Sequence, residues 1–152
     1  MLIDELKNIA RNNGIVGAGG AGFPAYAKMT EKADTVILNC VECEPLLKLH
    51  RQLLATHTEE IIRMLDEVRE SFGAKEAVLG IKSEYVTTIK AIEEVIGDFP
   101  NVRICAEIST WDLLLTGPKI RTFSIALNFN PTIVHCSLDA NCPPINSFFF
   151  VS

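Results

Sequence analysis

Gly17-Ala18-Gly19-Gly20-Ala21-Gly22-Phe23-Pro24 is the stretch whose reading decides which kind of α/β fold the chain adopts. Gly17-x-Gly19-x-x-Gly22 has the spacing of the dinucleotide-binding fingerprint. That fingerprint follows directly on a strand, opens a helix, and is answered about 20 residues later by an acidic side chain ending the second strand. Neither context is present. Only Ile15-Val16 separates the run from Asn12-Asn13-Gly14, too little for a strand, and Asn39 stands where the acidic residue belongs. An ordinary Rossmann arrangement is therefore rejected.

The chemistry of the run survives that rejection. Glycines reach positive φ and let backbone N–H groups come close to an anion. Pro24 suits the first position of a helix, whose N-terminal partial charge would add to the effect. Lys28, one turn further on, is in reach of a phosphate or ribityl oxygen. A ligand-free surface turn has the same composition, so the run alone does not decide between the two.

A second segment, Asn39-Cys40-Val41-Glu42-Cys43-Glu44-Pro45, follows the apolar run Thr35 to Leu38, which reads as a buried strand ending at Asn39. Open α/β sheets bind ligands just beyond such strand ends. Asn39 offers a donor and an acceptor to a ring edge such as the pyrimidine side of a flavin. Glu42 and Glu44 lie on the same side of an extended segment and suit ribityl or ribose hydroxyls, although solvated loop carboxylates would look alike. Cys40-x-x-Cys43 has metal-ligand spacing but no second pair of comparable spacing, and such sites need about four ligands, so no metal is expected. His50 and His57, seven apart, could share one helical face.

Outward from these segments the pattern alternates. Leu2, Leu6, Ile9 and Ala10 predict a helix over 3–12, stopped at Asn13-Gly14. Residues 46–71 read as helical, with Leu54, Ile61, Leu65, Val68 and Phe72 on one stripe. Thr56-x-x-Glu59 would be a capping box splitting this region into two helices. Ala77 to Ile81 and Val102 to Cys105 read as further strands. Ser83 is expected to cap a helix over 84–96 that Gly97 ends. Strands separated by such helices predict an α/β fold, a parallel sheet with helices on both faces.

Residues 107–152 depart from this, with Glu107, Asp112, Lys119, Arg121 and Asp139 as their only charges and no helical stripe. A short β-like run over 122–127 is all that stands out. The expected organisation is an α/β domain over 1–106 followed by a charge-poor tail over 107–152.

The length of 152 residues suits one domain with a substantial core, and 48% apolar residues with mixed charges exclude a disordered chain. A net charge of −5 gives no footprint for nucleic acid. No apolar run approaches the ~18 residues that span a bilayer. The start of the chain lacks the features of a signal peptide, and five cysteines read as thiols in a reducing compartment, so a cytoplasmic location is expected.

Taken together, Gly14 to Pro24, Asn39 to Leu47, and Gly73-Ala74-Lys75-Glu76-Ala77-Val78-Leu79-Gly80-Ile81-Lys82 resemble the flavin-binding half of a known group. It comprises the C subunit of the Rnf electron-transport complex, the flavin-carrying subunit of respiratory complex I, and related cobalamin-reductase and proline-reductase-associated carriers, the Rnf side being the most similar. The resemblance covers roughly residues 1–105.

It implies an FMN-binding electron-transfer domain, with NADH as donor and iron–sulfur clusters as acceptors. Gly17, Gly19, Gly20 and Gly22 would wrap the phosphate and ribityl chain, and Lys28 would face the cofactor. Asn39, Glu42 and Glu44 would contact the flavin or its nucleotide donor, and no side chain would act as acid or base. The partners implied are other subunits of a redox complex and a nicotinamide nucleotide, with the chain peripheral to a membrane through those subunits.

Relatives continue beyond the third strand with a Pro-Asp-x-Tyr-Pro-Ala-Gly-Asp-Glu-like stretch, a β-grasp segment and iron–sulfur motifs, none of which occurs here. A truncated product or an out-of-frame terminus would explain this. The rival readings are a flavin-free fragment with an interaction or structural role, and a phosphate-binding module that uses the glycine run alone.

Overall fold

Thr35-Val36-Ile37-Leu38-Asn39, β-branched or aliphatic up to its last residue, forms the strand around which the rest is assembled. The computed structural model describes residues 2–16, 22–29, 33–41, 48–106 and the backbone of 120–124. The elements run α1 (Ile3–Asn12), α2 (Ala25–Lys28), β1 (Thr35–Asn39), α3 (Leu49–Thr56), α4 (Thr58–Ser71), β2 (Glu76–Gly80), α5 (Val86–Ile96), β3 (Val102–Cys105) and β4 (Ile120–Ser124). These strands form one sheet, parallel throughout, in the order β3-β2-β1-β4. Helices α3 and α4 make the crossover from β1 to β2, and α5 that from β2 to β3, because parallel neighbours cannot be joined by a tight turn.

β1 is thus an interior strand, and its residues alternate between two buried faces. Val36 and Leu38, with Ala77 and Leu79 of β2, enter the main core. The helices supply Leu6, Ala25, Leu54, Ile62 and Ile92 to that core. Ile37, Val78 and Cys105 form a separate cluster on the opposite face, where Ile37 and Val78 have no exposed surface. Burial on both faces explains why β1 and β2 read as continuous apolar runs rather than alternating ones.

Two helices end with the same device. At α1 the Ile15 N–H donates to the Ala10 carbonyl at 2.9 Å and the Gly14 N–H to the Arg11 carbonyl at 3.1 Å, with Gly14 at φ +62°. This is a Schellman termination, and it delivers Ile15-Val16 to the base of the glycine run. At α4 the Ala74 N–H donates to the Arg69 carbonyl at 2.9 Å in the same way.

Three local expectations are corrected. Of the region 46–71, residues 46 and 47 lie outside the described residues and 49–71 hold two helices, but Thr56 does not cap the second; its hydroxyl donates back to the Gln52 carbonyl at 2.9 Å. His57 takes the N-cap position, and its Nδ1 lies 2.9 Å from Glu60 Oε2. Because the chain breaks there, His50 and His57 do not share one continuous helix. Finally, α5 begins at Val86 with Tyr85 at its N-cap, so Ser83 does not cap it. The ring of Tyr85 is worth more buried than a serine cap would be exposed.

β4 comes from the stretch that reads as a charge-poor tail and pairs with β1 from Thr35↔Ile120 to Asn39↔Ser124. It overlaps the β-like run seen in the sequence, and it carries the sheet beyond residue 106.

Candidate functional site

The glycine run is pinned at both ends. Val16 and Pro24 form an antiparallel bridge, and the Ala25 N–H donates to the Ile15 carbonyl at 2.9 Å. Just inside the bridge, Gly22 has φ +68°, where a side chain is opposed by the backbone. A Cβ there would meet nothing within 4 Å among the described residues, so the space beside it is open to them. Pro24, extended at φ −60° and ψ 125°, is the N-cap of α2 rather than its first residue, and the buried Ala25 that opens the helix is followed by the buried Met29. This helix is a single turn, so the partial charge expected at its N-terminus is weak. The positive charge comes from Lys28, its last residue, whose Nζ lies 5.6 Å from the centre of the Phe23 ring. Gly17, Gly19 and Gly20 lie outside the described residues.

Asn39 occupies the place that the topology favours for a ligand. From β1 the chain steps to β2 and β3 on one side, while β4 lies on the other, so the strand order reverses beside β1. Ligands of open α/β sheets bind at such a point, beyond the carboxyl ends of the strands. Asn39 is the last residue of β1, in register between Gly80 and Ser124. The Val41 N–H donates to its Oδ1 at 3.0 Å. This bond fixes the side chain's orientation; Nδ2 can still donate and the second lone pair of Oδ1 can still accept, so both roles suggested by the sequence stay open to Asn39. Glu42 and Glu44 lie outside the described residues, as does Cys43. Cys40 has no exposed surface and belongs to the helix-side core.

A group that the sequence motifs do not pick out stands beyond the end of β2. The buried Tyr85 ring has the Arg51 guanidinium 4.7 Å and the Lys82 ammonium 6.0 Å from its centre. The Thr88 hydroxyl donates to the Arg51 carbonyl at 3.1 Å, tying the first turn of α3 to α5. Its one sign in the sequence is that Lys82 and Tyr85 follow a strand end.

At the other end of the strands the polar groups satisfy one another. Arg103 Nε donates to Glu76 Oε2 at 2.8 Å, and the Thr35 hydroxyl donates to Glu76 Oε1 at 3.4 Å. The bond from Arg103 is the main reason that the Glu76 carboxyl titrates below its ordinary range. Arg69, 8% exposed, donates to Asp66 Oδ1 at 2.6 Å and to the Ala74 carbonyl at 3.0 Å, bracing the turn that feeds β2.

Against known proteins, the family model described as the Nuo51 FMN-binding domain matches residues 10–124. Cobalamin reductase PduS of Citrobacter freundii is 39% identical over 87 residues, covering 57% of this chain and 19% of that protein. PduS of Salmonella typhimurium is 33% identical over 105 residues, covering 69% of this chain and 23% of that protein. The C subunit of the Na(+)-translocating ferredoxin:NAD(+) oxidoreductase complex of Acetobacterium woodii is 33% identical over 99 residues, covering 62% of this chain and 22% of the relative. The chain thus spans about a fifth of the length of these curated relatives. In fold it is similar to an NAD+-reducing [NiFe]-hydrogenase in the air-oxidized state, with a TM-score of 0.56 and 24% identity, over 68% of this chain and 20% of that one. Among the described residues no helix is long and apolar enough to cross a membrane.

Proposed function

The chain belongs to the family of Nuo51 FMN-binding domains, and from that premise we propose that it binds FMN as an electron-transfer domain of an NADH-linked redox complex. The observation that carries this reading is the pinned glycine run. Its base holds a positive-φ glycine facing open space and a lysine without a carboxylate partner among the described residues. Such a set suits a phosphate: close backbone approach beside a fixed cation.

In this reading Gly17, Gly19, Gly20 and Gly22 hold the phosphate and ribityl chain through their backbone, and Lys28 meets the phosphate charge. Asn39 donates from Nδ2 to a ring oxygen at the strand-order reversal. Glu42 and Glu44 accept from hydroxyls of the flavin or of its nucleotide donor. FMN, when bound, supplies the chemistry of taking a hydride from NADH and releasing electrons singly. The chain's own residues bind, orient and keep water away, and none is assigned a proton transfer. Iron–sulfur clusters would be the acceptors, and other subunits of the complex would place the chain, which we read as cytoplasmic, at a membrane. The unit that we assign to this function runs to Ser124, because β4 supplies one wall of the reversal beside Asn39.

The second reading is a flavin-free domain with a structural or interaction role, since the likeness to the hydrogenase is one of fold alone. Titration with FMN separates the two. Binding quenches flavin fluorescence and raises the melting temperature, the stabilisation reaching about 2.7 kcal/mol at a hundredfold excess over Kd. Neither quenching nor a thermal shift at saturating FMN would leave the structural reading standing.

A further inference from the structure

We propose that Phe23 is a positioning residue: its ring holds the Lys28 ammonium at the base of the glycine run, so that preference for a phosphorylated flavin depends on an uncharged side chain. The inference rests on the FMN reading above and adds to it how the cation is held.

Phe23 is one of three large apolar side chains that stand exposed among the described residues, with 52% of its surface open. Leaving so much of a phenyl ring in water forgoes the burial that normally places it, so the core is not what fixes it. Among the described residues the Lys28 ammonium lies 5.6 Å from the ring centre, within the range of a cation–π interaction. Residues five apart do not meet on a continuous helix, where neighbours lie three or four apart. They meet here because Pro24 is extended, at φ −60° and ψ 125°, and α2 is only one turn long. The turn therefore brings the ring and the ammonium together.

The chemistry of the partner matters. A carboxylate could also hold an ammonium, but it would cancel the charge that a phosphate must find. A ring holds the cation by its quadrupole and leaves the charge intact. Among the described residues no carboxylate pairs with Lys28, as with Arg11, Arg51 and Lys82, which also lie over rings, whereas Lys7 and Arg103 each have one and Arg69 has two. A lysine stem is flexible, and ordering it in advance removes part of the entropy that binding would otherwise cost.

The test compares FMN and riboflavin binding to the full chain by fluorescence quenching. Phe23→Leu should weaken FMN about two- to fivefold while leaving riboflavin unchanged, and Phe23→Tyr should restore the wild-type ratio. In a Lys28→Ala background Phe23→Leu should have no further effect on FMN. The proposal is overturned if Phe23→Leu alters neither ligand, weakens both equally, or still weakens FMN without Lys28. Each of those results appears against an intact wild-type preference for FMN. A wild-type chain with no such preference removes the phosphate reading itself, and this proposal with it.

Discussion

At the amino ends of the strands Arg103 and Thr35 both donate to Glu76, and Arg69 donates to Asp66, Glu70 and the Ala74 carbonyl. At the carboxyl end of β1, the Asn39 oxygen accepts from the Val41 N–H, and its Nδ2 donates to no other described residue. The base of the glycine run repeats that second pattern: Lys28 lies over the Phe23 ring and pairs with no carboxylate among the described residues. Polar groups closed on each other contribute to folding, whereas groups held but left unmatched are suited to a ligand. The contrast therefore separates substitutions that should cost stability from those that should cost affinity.

The largest effect should come from Arg69→Ala. It strands the Ala74 carbonyl and the Asp66 carboxylate in a nearly buried turn, and urea unfolding should show a loss of about 3 kcal/mol. FMN affinity of the chain that remains folded should not change; a large loss there would break the division between the two ends. Next in size, Lys28→Ala should weaken FMN about tenfold, or ~1.4 kcal/mol, with little change in riboflavin affinity. Equal losses for the two ligands would remove the phosphate role of Lys28.

Asn39→Asp tests the strand end more finely. The carboxylate can still accept from the Val41 N–H, so the unliganded melting temperature should stay close to wild type. The lost donor should weaken FMN about threefold to tenfold. An affinity left intact would show that Asn39 shapes the loop only. The smallest effect belongs to Glu76→Gln. This pair is well exposed, so its loss should cost less than about 1 kcal/mol at neutral pH. The folded carboxyl titrates below its ordinary value of 4.5, so the wild type loses the contribution as pH falls through that lowered pKa. Melting curves of the two chains should accordingly converge in acid, and a gap that widened there would contradict the ion pair.

Much of the fold can be read locally. Helix 3–12 is bounded by its own spacing and by Asn13-Gly14, and Val102 to Cys105 follows directly on the turn at Pro100-Asn101, so both starts can be read from neighbouring residues. What escapes such reading depends on tertiary partners. His57 takes a cap position that the spacing assigns to Thr56, because Glu60 lies opposite it. Tyr85 is drawn under Arg51 of a different helix, which no spacing within 84–96 announces. β4 is legible only as the β-like run over 122–127; its pairing with β1 is set by tertiary context, where an interior strand's backbone finds its second neighbour. In the site, Lys28 and Asn39 are legible through the motifs around them. Phe23 is not, because an aromatic residue gains a role only when a turn sets a cation against it.

The pairing of Thr35 with Ile120 also has a consequence for the order in which the molecule can be made. On a chain emerging from its amino end, β1, β2 and β3 are available well before residues 120–124. Until those residues arrive, Val36, Ile37 and Leu38 present an apolar edge to whatever strand comes first, including that of another nascent chain. Closing the long connection adds only logarithmically to the entropic cost, so β4 is late rather than unfavourable. The hazard is one of timing: its size is set by how slowly the last strand is delivered, and co-translational capture of that edge would be a distinct route to loss of the protein.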